Sequence, residues 1–374
     1  MIRPIFKEFL DNKPIYFDKI DHKRIHYAYG ILKPHIKAPQ TVHIIGTNGK
    51  GSTGRVMAHL AKDTLRVGHF SSPHIRSFNE RLWIDGEDIS DNGLELAHQK
   101  LYNILGKEIS DSLSYFEYTT LLALVAFEKL DLIILEAGLG GEFDATNVVD
   151  KDLTVVTPIA IDHQAFLGDT IEEIASTKLR SIQKRALLAK QPYPEVYKIA
   201  KDIAEEKRAT IYLTSKDIEL NVDWSEYIVE NALVAMEALD TLSIDYNPKR
   251  LSDLELFGRF YKLADNIIID VGHNPLASEA IYQALDKRVI LIYNSLDDKD
   301  YREILEKLKP KIERVEIIKI PSQRALTIEK IERVLDLLDI RYSIFDGVVD
   351  SSRDYLVFGS FYVVEEFLNI YTIK

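Results

Sequence analysis

The chain contains no cysteine. That absence excludes disulfides, thiolate catalysis and cysteine-ligated zinc, and it is compatible with a cytoplasmic protein. No stretch approaches the roughly 18 uninterrupted apolar residues of a spanning helix, so no membrane partner is expected. The N-terminal "MIRPIFKEFLDNKPIYF" carries charges inside any candidate apolar core, which argues against a secretory signal. Positive charge is in the minority, with 47 Lys and Arg against 59 Asp and Glu and a net charge of −12. A field of that sign disfavours nucleic acid as the main partner. It also repels anionic small molecules, so a phosphate-bearing ligand has to be met locally by particular lysines, arginines and metal ions. Internal repeats and low-complexity segments are absent as well.

What is present reads as a soluble globular chain. It has 374 residues, 46% of them apolar and 28% charged. That length exceeds one ordinary core, and two domains are the expectation. Strand-like runs alternate with amphipathic helical stretches, the rhythm of a doubly wound, mostly parallel α/β sheet. "TVHII" (41–45), "RVGHFSS" (66–72), "DLIILEAG" (131–138) and "DLTVVTPIAI" (152–161) are strands, apolar enough to be covered on both faces. "ERLWIDGEDIS" (80–90) reads as a hairpin turning at Asp85-Gly86, and "YFEYTTLLALVAFEKL" (115–130) as a buried helix. A second, smaller α/β set follows in "NIIIDVGHNP" (266–275), "VILIYNSL" (289–296), "RVEIIKI" (314–320) and "YLVFGSF" (355–361), with "TIEKIERVLDLL" (327–338) as a helix. The break at Gly258 divides the chain into 1–257 and 258–374.

"VHIIGTNGKGSTGRV" (42–56) carries the first chemical signal. Gly46, Gly49 and Gly51 let backbone amides turn inward on an anion, Lys50 adds a point charge, and a helix starting near Ser52 offers its positive end. The spacing departs from the strict G-x-x-x-x-G-K-[ST] phosphate loop by an extra glycine after the lysine. A plain strand-to-helix turn would need neither the lysine nor three glycines in this order.

Parallel strands present their carboxyl ends at one edge, and the remaining candidates fall at such ends. Ser72 in "FSSPHIRSFNER" (70–81) offers a hydroxyl, and His74, Arg76 and Arg81 could meet anions. Glu136 closes a strand of leucine and isoleucine, where a carboxylate is costly unless paired or metal-bound. Gly138, Gly140 and Gly141 keep the loop after it open. Asp162-His163 ends another apolar strand, and a carboxylate–imidazole site for Mg²⁺ or Mn²⁺ fits there. In the second domain Arg259 and Asp270, with His273, stand before and at the end of a strand, and suggest closure over ATP. Lys178, on the amphipathic "TIEEIASTKLRSI", is an ordinary helical lysine on sequence alone.

Taken together, "GTNGKGST", "SSPHIRSFNER", "LEAGLGGEFDATN", "IDHQAFLGDTIEEIASTK", "GRF" and "DVGHNP" resemble, in order, the folylpolyglutamate synthase / dihydrofolate synthase family of the Mur ligase superfamily. "DDKD" (297–300) and "VFGSFYVVEEF" (357–367) continue the likeness, which spans residue 40 to the C-terminus. The resemblance implies the Mur ligase central-domain fold with a smaller C-terminal α/β domain. It also implies an ATP-dependent ligase joining L-glutamate to dihydropteroate or a reduced folate, with two Mg²⁺ (or Mn²⁺) ions, in a cytoplasmic monomer. By carry-over, Thr47, Asn48, Gly49, Lys50, Gly51 and Ser52 hold the ATP phosphates, and Asn231, Arg259 and Asp270 match further ATP contacts. Ser72, Glu136 and His163 match metal ligands, Phe143, Asp144 and Ala145 the pterin-contacting stretch, and Lys178 a lysine that is carbamylated and helps hold the second metal. The catalytic set is Lys50, His163 and Lys178. "PIYFDKIDHKRI" (14–25) loosely matches the family's N-terminal pterin-binding segment. Two departures stand out: Glu142 replaces a basic residue, and Leu179-Arg180-Ser181 replaces the usual AGI after the lysine. A peptidoglycan Mur ligase is the rival within the class, but only 45 residues precede Gly46, too few for its usual leading domain. A non-catalytic ATP-binding protein is the rival outside it, and would not need Glu136, His163 and Lys178 together.

Overall fold

Runs rich in valine, isoleucine and leucine form the central strands of both sheets, buried on both faces. The structure, a computed structural model, describes residues 4–14 and 21–373. Residues 15–20 of the "PIYFDKIDHKRI" stretch and 1–3 of the N-terminal reading therefore lie outside the described residues. The chain divides into two compact units, Met1–Glu219 with Asn231–Leu251, and Leu220–Glu230 with Ser252–Lys374. This is a less simple division than a single join at 257/258, because 220–230 leaves the first unit and 231–251 returns to it.

The first unit contains Gln40–Ile45 (β1), Val67–Phe70 (β2), Leu82–Ile84 (β3), Glu87–Asp88 (β4), Leu132–Glu136 (β5), Leu153–Val156 (β6), Arg185–Leu188 (β7) and Thr210–Leu213 (β8). They form one sheet in the order β4-β3-β2-β5-β1-β6-β7-β8. All neighbours are parallel except β2–β3 and β3–β4, the expected hairpin, where Asp85 and Gly86 take φ of 52° and 121°. The helices are Phe6–Asp11 (α1), His22–Leu32 (α2), Lys50–Ala61 (α3), Asp91–Ser112 (α4), Tyr115–Ala126 (α5), Gln164–Leu167 (α6), Ile171–Leu179 (α7) and Glu195–Lys207 (α8). One core joins α1, α2, α4 and α5 to Phe70, Ile133 and Leu135, and a separate core joins α7 and α8 to Ile45, Val156 and Leu188. The central strands are thus covered on both sides, which is why their apolar runs do not alternate with polar residues. A capping box starts α7, with Thr170 accepting from the Glu173 amide and Glu173 accepting from that of Thr170, and so sets the direction of the helix that carries Lys178.

The second unit builds Tyr261–Ala264 (β9), Ile267–Asp270 (β10), Val289–Tyr293 (β11), Ile312–Ile317 (β12), Tyr342–Ile344 (β13), Val348–Val349 (β14), Tyr355–Phe358 (β15) and Thr372–Ile373 (β16). A six-stranded sheet runs β13-β12-β11-β15-β10-β9, parallel except for β9–β10, and β14 pairs with β16. Glu226–Thr241 (α9) gives its first turn to this unit and the rest to the first. Pro275–Ala284 (α10), Tyr301–Leu308 (α11), Ile328–Leu337 (α12) and Phe361–Ile370 (α13) complete it. Among the described residues no helix is long and apolar enough to cross a membrane.

Three expected boundaries moved. The helix after the first loop starts at Lys50 rather than near Ser52, because Gly49, at φ 86°, already ends the loop. The buried helix expected over 115–130 ends at Ala126. The strand expected over 152–161 ends at Val156, since Thr157 and the imide of Pro158 turn the chain away, and Asp162-His163 therefore lies in a loop.

His43 and His69 are buried in β1 and β2, and burial holds both rings well below the usual histidine range. The folded state therefore binds fewer protons than the unfolded chain below about pH 6.5, and stability falls as pH falls. Each histidine costs about 1.4 kcal/mol one pH unit below its unfolded pKa. The urea midpoint should drop between pH 7.5 and 5.5. His69→Leu should make that drop shallower, because among the described residues neither ring nitrogen of His69 has a hydrogen-bond partner. An unchanged slope in the variant would exclude His69 as a source.

Candidate active site

The turn between β1 and α3 is built so that no side chain can occupy two of its positions. A Cβ on Gly46, at φ 144°, would lie 2.0 Å from Thr157 Oγ1 and 2.8 Å from its carbonyl oxygen. A Cβ on Gly49 would lie 2.4 Å from Oδ1 of Asn231, which is buried on α9. The loop is stitched to the chain beyond β6. The amides of Thr47 and Asn48 donate to the Pro158 carbonyl at 2.8 and 3.3 Å, and Thr47 Oγ1 bonds both the carbonyl and the amide of Ala160 at 3.1 and 3.0 Å. Those two amides are engaged, so the loop's anion-binding capacity shifts to the amides of Lys50, Gly51 and Ser52. These head α3, and no backbone acceptor for them is found among the described residues. Unpaired amides at the positive end of a twelve-residue helix form an anion site. Two ammonium groups stand beside it. Lys50 Nζ donates to the carbonyls of Gly46 and Thr47 at 3.3 and 3.1 Å, and Lys178 Nζ, buried, donates to Gly46 at 3.0 Å.

Register brings neighbouring strand ends to the same edge. Ile44 of β1 lies opposite Glu136, the last residue of β5, and the Ala137 amide bonds the Ile44 carbonyl. Glu136 is buried, and its Oε2 accepts from the Ser72 amide at 3.3 Å, so the chain leaving β2 meets the carboxylate. His163 follows at φ 55°, its amide donating to Asp162 Oδ1 at 2.8 Å and its Nε2 3.9 Å from Asp162 Oδ2. Carboxylate, imidazole and hydroxyl are the donor set that suits Mg²⁺ or Mn²⁺. Lys178 joins such a set only as a carbamate, because an ammonium has no lone pair.

The loop after Glu136 leans on α6 and α7. A Cβ on Gly141 would lie 2.4 Å from the Lys178 carbonyl oxygen, and one on Gly140 would lie 3.0 Å from Leu167. Phe143 is 54% exposed here, whereas Asp144 and Ala145 are buried. Asp144 accepts from the Leu139 amide at 2.8 Å, the Thr146 amide at 2.9 Å and Thr146 Oγ1 at 2.5 Å. Burial pushes its carboxyl up, and these donors oppose the shift. Both oxygens serve the loop, so Asp144 shapes the surface that Phe143 presents.

His74 and Arg81 differ from expectation as anion-meeting groups. Arg81 is buried and donates to His74 Nδ1 at 2.8 Å, and its guanidinium lies 5.4 Å from the Tyr115 ring centroid. Burial, with the Arg81 charge second, lowers His74 to about 4, so His74 is neutral at pH 7.

The second unit holds Arg259 and Asp270 together. Asp270, buried at the end of β10, accepts from Tyr227 Oη and the Phe260 amide at 2.7 and 2.8 Å on one oxygen, and from the Gly272 amide at 2.7 Å on the other. Burial raises its carboxyl, with the Tyr227 bond and the Arg259 charge opposing. Arg259 stacks 5.1 Å from the Phe361 ring centroid. Thr157, Tyr227 and Phe361 escaped the sequence reading. The Thr-Pro closing an apolar strand was a usable signal for Thr157, but Tyr227 and Phe361 carry no local one.

No family model matches the chain. It is 33% identical to a protein of Haemophilus influenzae named dihydrofolate synthase/folylpolyglutamate synthase, over 88% of each chain. Its fold matches that of E. coli FolC in complex with DHPP and ADP, with a TM-score of 0.80 and 29% identity over 97% of this chain and 96% of that one. It also matches a bifunctional folylpolyglutamate synthase/dihydrofolate synthase from Yersinia pestis complexed with AMPPNP and Mn ion, with a TM-score of 0.84 and 26% identity over 97% and 96%.

The packing at Gly46 makes a sharp contrast with Gly30 on α2, where a Cβ would meet nothing within 4 Å. Gly46→Ala should destabilise the protein by at least about 2 kcal/mol, through a backbone clash at a left-handed position. Gly30→Ala should stabilise it by roughly 0.5–1 kcal/mol. Urea midpoints measure both, and a Gly46→Ala protein as stable as the parent would refute the packing account.

Proposed function

The chain belongs to the dihydrofolate synthase/folylpolyglutamate synthase family, and from that membership we propose that it is an ATP-dependent ligase adding L-glutamate to dihydropteroate and to reduced folates. The observation that carries this reading is the Lys50 ammonium, held on the Gly46 and Thr47 carbonyls beside the open amides of Lys50, Gly51 and Ser52. That arrangement suits a triphosphate whose terminal group is to be transferred.

A carboxylate is a poor acyl donor. An oxygen of the acceptor carboxylate attacks the γ-phosphorus of ATP, the bond to ADP breaks, and an acyl phosphate forms. The amine of glutamate then attacks the acyl carbon, phosphate leaves with the C–O electron pair, and the new amide nitrogen gives up a proton. Both steps gather negative charge on oxygen. The α3 amides and Lys50 stabilise it from fixed positions, without reorganisation. Asn231, Arg259 and Asp270 stand at positions matching further ATP contacts of the family, with the Arg259 guanidinium 5.1 Å from the Phe361 ring centroid. Phe143 offers the pterin an exposed aromatic face, on a loop that Asp144 holds in shape. Ser72, Glu136 and His163, with Lys178 as a carbamate, would hold two Mg²⁺ ions, which supply charge neutralisation on the phosphates. The absence of cysteine agrees with a route that has no covalent enzyme intermediate. A cytoplasmic monomer completes the reading, and light scattering on the purified protein tests its mass.

Phosphate release should require ATP, a divalent cation and glutamate, and should begin only when dihydropteroate or tetrahydrofolate is added. Release without any folate would overturn the assignment, and side-by-side assays with the two acceptors rank the activities. EDTA should stop the reaction, and Mg²⁺ should restore it. Lys50→Ala and His163→Ala should each lose at least ~100-fold in turnover while keeping the parent's urea midpoint. Near-normal turnover in both would refute the site.

A further inference from the structure

Lys151 is a buried lysine that the chemistry above does not use. It is only 2% exposed and pairs with no carboxylate among the described residues. Its Nζ donates to the side-chain oxygen of Asn147 and, at 2.9 Å, to the carbonyl of Ser181. These two acceptors belong to different parts of the site. Asn147 sits in the crossover from β5 to β6 and returns a bond to the Glu142 carbonyl at 2.7 Å, while the Glu142 amide bonds the Thr177 carbonyl at 2.9 Å. Ser181 closes α7, its hydroxyl donating to the Lys178 carbonyl at 2.8 Å. An ammonium at the carboxyl end of a helix is favourably placed against the helix dipole.

We propose that Lys151 is a positioning residue for the acceptor, pinning the crossover that carries Phe143–Ala145 to the end of the helix that carries Lys178. This rests on the acceptor reading given above. It also makes one unit of two departures from the family pattern, because Arg180 Nη1 pairs with Glu142 Oε2 at 3.3 Å across the same seam. That pair is largely exposed and contributes little, so the buried ammonium dominates the clamp.

The clamp is sensitive to alkali. Burial, with the Lys207 charge second, lowers Lys151 to about 7, while Asp144 and Asp150 oppose the shift, and neutral His43 lies near enough to feel its charge. Deprotonation converts two charge-assisted hydrogen bonds into neutral ones about half as strong. The crossover then loosens, and the acceptor binds less tightly, as pH rises through that value.

Calorimetry with a non-hydrolysable ATP analogue and dihydropteroate tests this without involving the glutamate amine. In the wild type, the acceptor Kd should rise about five-fold from pH 6.5 to 8.5, with the nucleotide Kd unchanged. K151M should bind the acceptor about five- to ten-fold more weakly at pH 6.5 and show no further change with pH. K151R, whose charge is permanent, should bind tightly at both pH values. A folded K151M with wild-type acceptor affinity, or with the wild-type pH response, would overturn the proposal. Equal losses for acceptor and nucleotide would reduce Lys151 to a general stabiliser and overturn it as well. Should K151M fail to fold, the comparison of wild type with K151R decides, and an equal pH response in the two refutes the clamp. If the wild type binds no folate at all, the functional reading fails first, and the clamp's role falls with it.

Discussion

The carbonyl of Gly46 is the point on which the first unit's chemistry depends. It faces inward because Gly46 adopts φ 144°, and Gly46 can do so because it has no Cβ to strike Thr157. Two lysines then converge on that oxygen, one from the helix the loop starts and one from α7. An inward-turned carbonyl would repel a phosphate. The Lys50 ammonium offsets that repulsion and leaves the helix amides free to act. Every neighbouring element serves this arrangement. Pro158 takes the Thr47 and Asn48 amides, Asn231 fills the space at Gly49, and the capping box of α7 aims Lys178.

A chain of net charge −12 that handles anionic substrates has to concentrate its positive groups rather than spread them. The structure does so by burial. Lys151 is withdrawn from solvent and donates to neutral oxygens that the backbone and an amide side chain supply. Neutral acceptors leave the positive charge undiminished, whereas a carboxylate partner would cancel it. Asp144 and Asp270 show the complementary device. Their oxygens accept from amides and hydroxyls of neighbouring loops, so the carboxylates stiffen those loops.

Much of this was legible before any coordinates. The alternation of apolar runs with amphipathic stretches marked the parallel sheets, and the Asp85-Gly86 turn marked the hairpin, because both signals are local. Glu136 and Asp270 stood out because a carboxylate ending an apolar run is costly wherever the chain goes. The end of β6 is not marked in the sequence, since "TVVTPIAI" stays apolar past Val156 while its backbone turns away at Thr157-Pro158 to meet the phosphate loop. His74 and Arg81 looked cationic in a polar loop. Burial and the Arg81 charge keep His74 neutral, and nothing in "FSSPHIRSFNER" announces their hydrogen bond.

The sequence by itself determined the chemical class. The order of glycines, lysine, carboxylate and histidine around strand ends is a statement about residue type and spacing, and a linear chain carries that in full. Tertiary structure alone decided which of these groups remain available. Thr47 and Asn48 lost their amides to Pro158, Asp144 its carboxylate to its own loop, and Lys178 became a buried neighbour of Gly46 from 132 positions away. Lys151 acquired a role through contacts to two separate segments. The physical reason is that a hydrogen bond and a desolvation cost are set by distance in space. Such distances across a sheet depend on strand order and register, which no local pattern encodes.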